Sequence, residues 1–75
     1  MRYEVKEYNS AKTQAFRVVD TKGIKRFLTI YADKRFAEKV CHKYNIGQQK
    51  LDNAFKDAPD DIRVSMLKFG IIADV

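Results

Sequence analysis

The sequence predicts an α+β fold: a three-stranded antiparallel β-meander followed by two or three helices packed on one face. Three observations carry that expectation. Up to Tyr31 the apolar residues recur with period two and are interrupted by turn-forming clusters. From Asp33 onward the repeat lengthens to three or four residues, the helical spacing. The chain has 75 residues, which is the size of a single domain, taken as 1–75.

Arg2 to Tyr8 reads as a half-buried strand, with Tyr3 and Val5 facing one way and Arg2, Glu4 and Lys6 the other. Asn9 to Thr13 is a turn. Gln14 to Val19 is a second strand, with Phe16 and Val18 opposed to Ala15, Arg17 and Val19. Ile24 to Tyr31, rich in β-branched and aromatic residues, is a third. Between strands two and three, Asp20-Thr21-Lys22-Gly23 fits a type I turn. Its aspartate bonds back to the turn amides and Gly23 takes positive φ.

Asp33 is placed to cap a helix that runs to Tyr44, with Phe36, Ala37, Val40, Cys41 and Tyr44 as its apolar stripe. Asn45 suits the left-handed residue that ends a helix, and Gly47 loosens the turn after it. Gln48 to Lys56 then forms a short second helix. The run Asp57-Ala58-Pro59-Asp60-Asp61 starts a third, because proline fits the first turn and aspartates favour the positive end of the helix dipole. Ile62, Met66 and Phe69 repeat at helical spacing, and Val64 and Leu67 make this helix apolar almost all round. Gly70 is the expected stop, and Ile71 to Val75 an additional short strand.

Net charge is +5 but unevenly spread. Residues 1–45 carry eleven Lys/Arg against five Asp/Glu, a net +6, while residues 46–75 carry four against five, a net −1. A basic front half implies an acidic partner: the phosphate backbone of nucleic acid, an acidic protein surface or anionic lipid. The single cysteine, Cys41, excludes an intrachain disulfide. With no signal-like segment, a cytoplasmic location is expected. The apolar runs fall far short of the ~20 residues that a membrane span needs.

Residues able to carry chemistry are few. Cys41 and His42 are adjacent and point about 100° apart on a helix, so they are poorly placed to act together, and Cys41 reads as core. No Cys, His and carboxylate set has metal-site spacing, and the three glycines make no phosphate-cradling loop. The expectation is a protein that is not an enzyme and uses no cofactor and no metal.

Two family resemblances sharpen the binding hypothesis. The segment from Cys41 through Asn45, Ile46 and Leu51 resembles the helix–turn–helix family of DNA-binding motifs. It puts a small residue at the helix crossing, a left-handed residue in the turn and two buried aliphatics after it. The resemblance, over residues 36–55, implies that Gln48, Gln49 and Lys50 head a recognition helix that reads base edges. Asn45 stands where that family has glycine, and the implied recognition helix is nearly neutral. An ordinary helical hairpin packed on a sheet is the alternative.

Residues 14–45, with Phe27 to Lys34 leading into a helix, look like the sheet-plus-helix arm-binding domains of phage integrases, which lay a sheet in the DNA major groove. Independently of that resemblance, the basic residues Lys12, Arg17, Lys22, Lys25, Arg26, Lys34 and Arg35 cluster on the hairpin and the start of the first helix, where they suit phosphate contacts. An exposed face with Lys25, Phe27, Tyr31 and Arg17 would interleave cations with aromatics.

The expected function is therefore a small accessory protein that binds DNA or RNA. The alternative is a phage-type modulator that inhibits a host or defence complex. Its size, charge and lack of catalytic residues give it the look of proteins that phages and mobile elements encode. In that case Val64, Leu67, Ile71 and Ile72 would form the protein or homodimer interface.

Overall fold

The computed structural model describes residues 1–23 and 27–74, with the backbone alone for residues 27, 28 and 71–74. Three strands, β1 (Tyr3–Asn9), β2 (Gln14–Asp20) and β3 (Phe27–Tyr31), form one antiparallel sheet in the order β1-β2-β3. Two helices follow, α1 (Lys34–Ala54) and α2 (Asp60–Asp74). The expected α+β architecture is thus present, with two helices. Asp33 caps α1 as its side chain predicts, accepting the Arg35 N–H at 2.8 Å.

Register follows from alternation. Tyr3 opposes Asp20, Val5 opposes Val18, and Phe16 opposes Tyr31. Tyr3, Phe16 and Val18 lie buried beneath α1, with Val5 and Tyr31 partly covered. Val40, Cys41 and Tyr44 fill the space from the helix side, and the Tyr3 and Tyr44 rings meet at 5.1 Å. Burial pushes the Cys41 thiol up and the Tyr44 phenol up to about 12, so neither ionises at neutral pH.

The turn expected at Asn45 to Gly47 does not exist, for α1 runs unbroken through it. The two residues that read as helix breakers are docking residues instead. Asn45 brackets the backbone of β1, with its Oδ1 accepting the Tyr3 N–H at 2.9 Å and its Nδ2 donating to the Tyr3 carbonyl at 3.1 Å. It thereby stands in for a neighbouring strand at an open sheet edge. Gly47 makes room for α2, since a Cβ there would clash with Leu67 Cδ1. Glycine inside a helix costs about 1 kcal/mol relative to alanine, and the approach of Leu67 offsets it. Residues 36–55 are therefore neither a helix–turn–helix nor a helical hairpin, and the segment expected as a second helix is the end of the first.

Three smaller expectations are corrected as well. Asp20 does bond back to its turn, accepting the Lys22 N–H at 3.1 Å. Gly23, however, packs against the Asp20 carboxylate without taking positive φ. Gly70 stays helical, and the backbone of residues 71–74 continues α2 instead of forming a strand. Glycine permits a helix stop but does not impose one.

Finally, α2 is rotated relative to the expectation from its sequence. Leu67, proposed as interface, is 6% exposed and belongs to the core, and Val64 is half-buried. The exposed stripe is instead Ile62, Met66 and Phe69. Because α2 is apolar on both sides, periodicity could not choose between them; the notch at Gly47 does.

Candidate functional site

Among the described residues, no helix covers the second face of the sheet. Strand alternation puts Glu4, Lys6, Tyr8, Arg17, Val19 and Ile30 on it. Lys6 and Arg17 oppose one another directly across β1 and β2, and Ile30 flanks Arg17 on β3. Like charges in this position repel. Neighbouring side chains moderate the repulsion. Glu4 Oε2 lies 3.3 Å from Lys6 Nζ, and the Tyr8 ring lies 4.9 Å beneath the Arg17 guanidinium. The result is a sheet surface with two adjacent cations, an aromatic ring and aliphatic patches.

The expected basic surface is only partly assembled. Arg17 is on this face, but Tyr31 turns to the helix side, where its ring packs edge-on against Phe36 at 4.9 Å. The two are one register position apart and so point to opposite faces. Lys12 is exposed in the β1–β2 turn, and Lys34 and Arg35 are exposed in the first turn of α1, at the same end of the sheet. Lys22 is exposed at the other end, about 20 Å away along a seven-residue strand. Lys25 and Arg26 lie outside the described residues, as do the side chains of Phe27, Ile71 and Ile72.

The helical trio is also split. Gln49 and Lys50 are exposed on α1, whereas Gln48 is buried. It accepts the Tyr3 hydroxyl at 2.7 Å and donates to Asp52 Oδ1 at 2.7 Å. It is a structural link, unavailable to a base edge.

At the Lys22 end, a chain of polar contacts ties α2 to the body, and sequence reasoning did not find it. The Arg2 guanidinium grips Asp20 through Nε and Nη2 and Asp60 through Nη1 and Nη2, each contact 2.8 Å. Its hydrogen bonds hold both carboxyls below the ordinary carboxylate range. Arg63 extends the chain with longer ion pairs, 3.4 Å to Asp52 and 3.6 Å to Asp60. These contacts join the residue before β1 and the end of β2 to α2, far apart in sequence, so no local pattern announces them. Lys6 and Tyr8 were also missed as site residues. Alternation puts Lys6 on the polar face, but its pairing with Arg17 needs the length of the β1–β2 turn.

Among the described residues no three His, Cys, Asp or Glu side chains converge as a metal site, and no helix is long and apolar enough to cross a membrane. Neither protein-family models, nor curated proteins, nor solved structures gave a match to this chain.

Proposed function

We propose that this chain is a small, non-catalytic accessory protein that binds nucleic acid with the uncovered face of its sheet. The observation that carries the reading is the cross-strand pair Lys6 and Arg17, with Tyr8 stacked on Arg17. Two cations side by side on an uncovered sheet face, with an aromatic ring against one of them, fit a ligand that carries negative charge and a flat base. The aromatic ring and Ile30 beside them offer a platform for a base or sugar. Lys12, Lys34 and Arg35 add positive charge at one end of the same sheet. The two lysine and arginine side chains that open α1 sit at the positive end of its dipole, an arrangement a phosphate would relieve.

Recognition by a sheet agrees with the layout that the integrase arm-binding resemblance implies. The helix-based alternative loses its support with the unbroken α1 and the burial of Gln48.

Fluorescence anisotropy with labelled duplex DNA, single-stranded DNA and RNA, titrated from low salt to about 150 mM, tests the reading and selects the substrate. The double variant Lys6→Glu/Arg17→Glu is expected to lose tenfold or more in affinity and about two units of salt slope. Lys50→Glu, on the helix layer, is expected to leave both nearly unchanged. Equal affinity of the double variant and the wild type would refute the sheet as the reader. Failure of the wild type to bind any of the three ligands at about 150 mM salt would turn the cationic face toward an acidic protein surface.

A further inference from the structure

We propose that α2 is a self-association surface on which two copies of the chain pair antiparallel about a two-fold axis. The proposal is independent of the nucleic-acid reading. Its basis is the face of α2 directed away from the core. Leu67 sits in the notch at Gly47, and Arg63 is tied to Asp52 and Asp60, which fixes the rotation of the helix. The opposite side presents Ile62, Met66 and Phe69, which are 50%, 42% and 80% exposed. Their spacing of four and three residues makes one continuous stripe about two turns long. Ser65 is the polar residue within it, and its hydroxyl is turned back onto the Asp61 carbonyl at 2.9 Å. Its donor is already used, so the stripe can be dehydrated without stranding it.

The charges beside the stripe identify the occupant as a second copy. Asp61 and Lys68 are seven residues apart and therefore share one flank of the helix. A two-fold axis between Ser65 and Met66 lays Ile62 against the partner's Phe69. It also brings Asp61 toward the partner's Lys68, and the symmetry repeats both contacts. Parallel pairing would instead put the Asp61–Lys68 flanks of the two copies on opposite sides of the interface, where neither charge meets its complement. The three apolar side chains offer roughly 400 Å² per copy, and their flanks bring the total buried surface to about 1,000 Å². That lies at the lower limit of specific interfaces and corresponds to a weak, concentration-dependent dimer.

Sedimentation equilibrium of the intact chain from about 1 µM to about 1 mM tests the proposal. The expected result is a reversible monomer–dimer equilibrium inside that range. Phe69→Ser, at a side chain the monomer hardly uses, should weaken association about tenfold or more with an unchanged circular-dichroism spectrum. Asp61→Lys should weaken it too, and adding Lys68→Asp to the same chain should restore it. Only antiparallel pairing gives that restoration. A monomer throughout the range, a dimer indifferent to Phe69→Ser, or a double exchange that fails to restore association would each overturn it.

Discussion

Replacing Arg2 by methionine removes the clamp between the sheet and α2 while keeping most of the side chain's bulk. The expected loss can be worked from the structure. The Arg2 side chain is 13% exposed and that of Asp20 6%, so this pair is largely out of water. Deleting one partner of a fully buried pair costs about 3–5 kcal/mol, because the other charge is left without compensation. Asp20 retains the Lys22 N–H, which reduces the penalty to about 2–3 kcal/mol. Asp60 is half exposed, and its bonds to Arg2 add no more than about 1 kcal/mol.

The sum, about 3 kcal/mol, is a large share of the roughly 4–11 kcal/mol available to a chain of this length. It should lower the midpoint of thermal unfolding by some 10–20 °C. Urea denaturation followed by circular dichroism measures it directly.

The pH dependence supplies a second readout. The folded-state pKa of Asp20 is depressed, so its stabilisation is complete above the unfolded value near 4 and is lost as pH falls through the lower folded value. The gap between wild type and Arg2→Met should therefore be flat from pH 7 to about pH 4 and close below that. A loss under about 1 kcal/mol, or a gap that does not close in acid, would refute the clamp as a major source of stability.

Two further substitutions test the docking residues of α1. Asn45→Ala strips the Tyr3 N–H and carbonyl of their partners at the sheet edge. It should cost about 1–3 kcal/mol in urea denaturation and speed hydrogen exchange at the Tyr3 amide, whereas unchanged exchange would show that water replaces the bracket at no cost. Gly47→Val puts a branched side chain where even a Cβ would clash with the Leu67 side chain. Despite valine's better helix propensity, a net loss of about 1–3 kcal/mol is expected, and Leu67→Ala in the same chain should recover part of it.

Much of the fold is legible in the sequence, because strand alternation and helix capping are local. Tyr3, Val5, Phe16 and Val18 were placed inward by period two alone, Asp33 was placed as a cap, and Pro59 with its aspartates marked the start of α2. What alternation and caps cannot express is which residue a polar or small side chain will meet. Asn45 and Gly47 carry the same local preferences whether they end a helix or dock it. Contacts with Tyr3 and Leu67, far away in sequence, decided for docking and kept α1 whole. Gln48 reads as a surface polar residue until the Tyr3 hydroxyl reaches it.

The orientation of α2 shows the same division. Its two apolar faces are equivalent by pattern, and the notch at Gly47 together with the Arg63 ion pairs buried one and exposed the other. The cationic pair on the open sheet likewise depends on cross-strand register, which opposes Lys6 to Arg17 and turns Tyr31 away. Local preference determined which elements form and where most begin. Tertiary contact determined where α1 ends, how α2 is turned and which charges meet, because those outcomes rest on side chains that only the folded chain brings together.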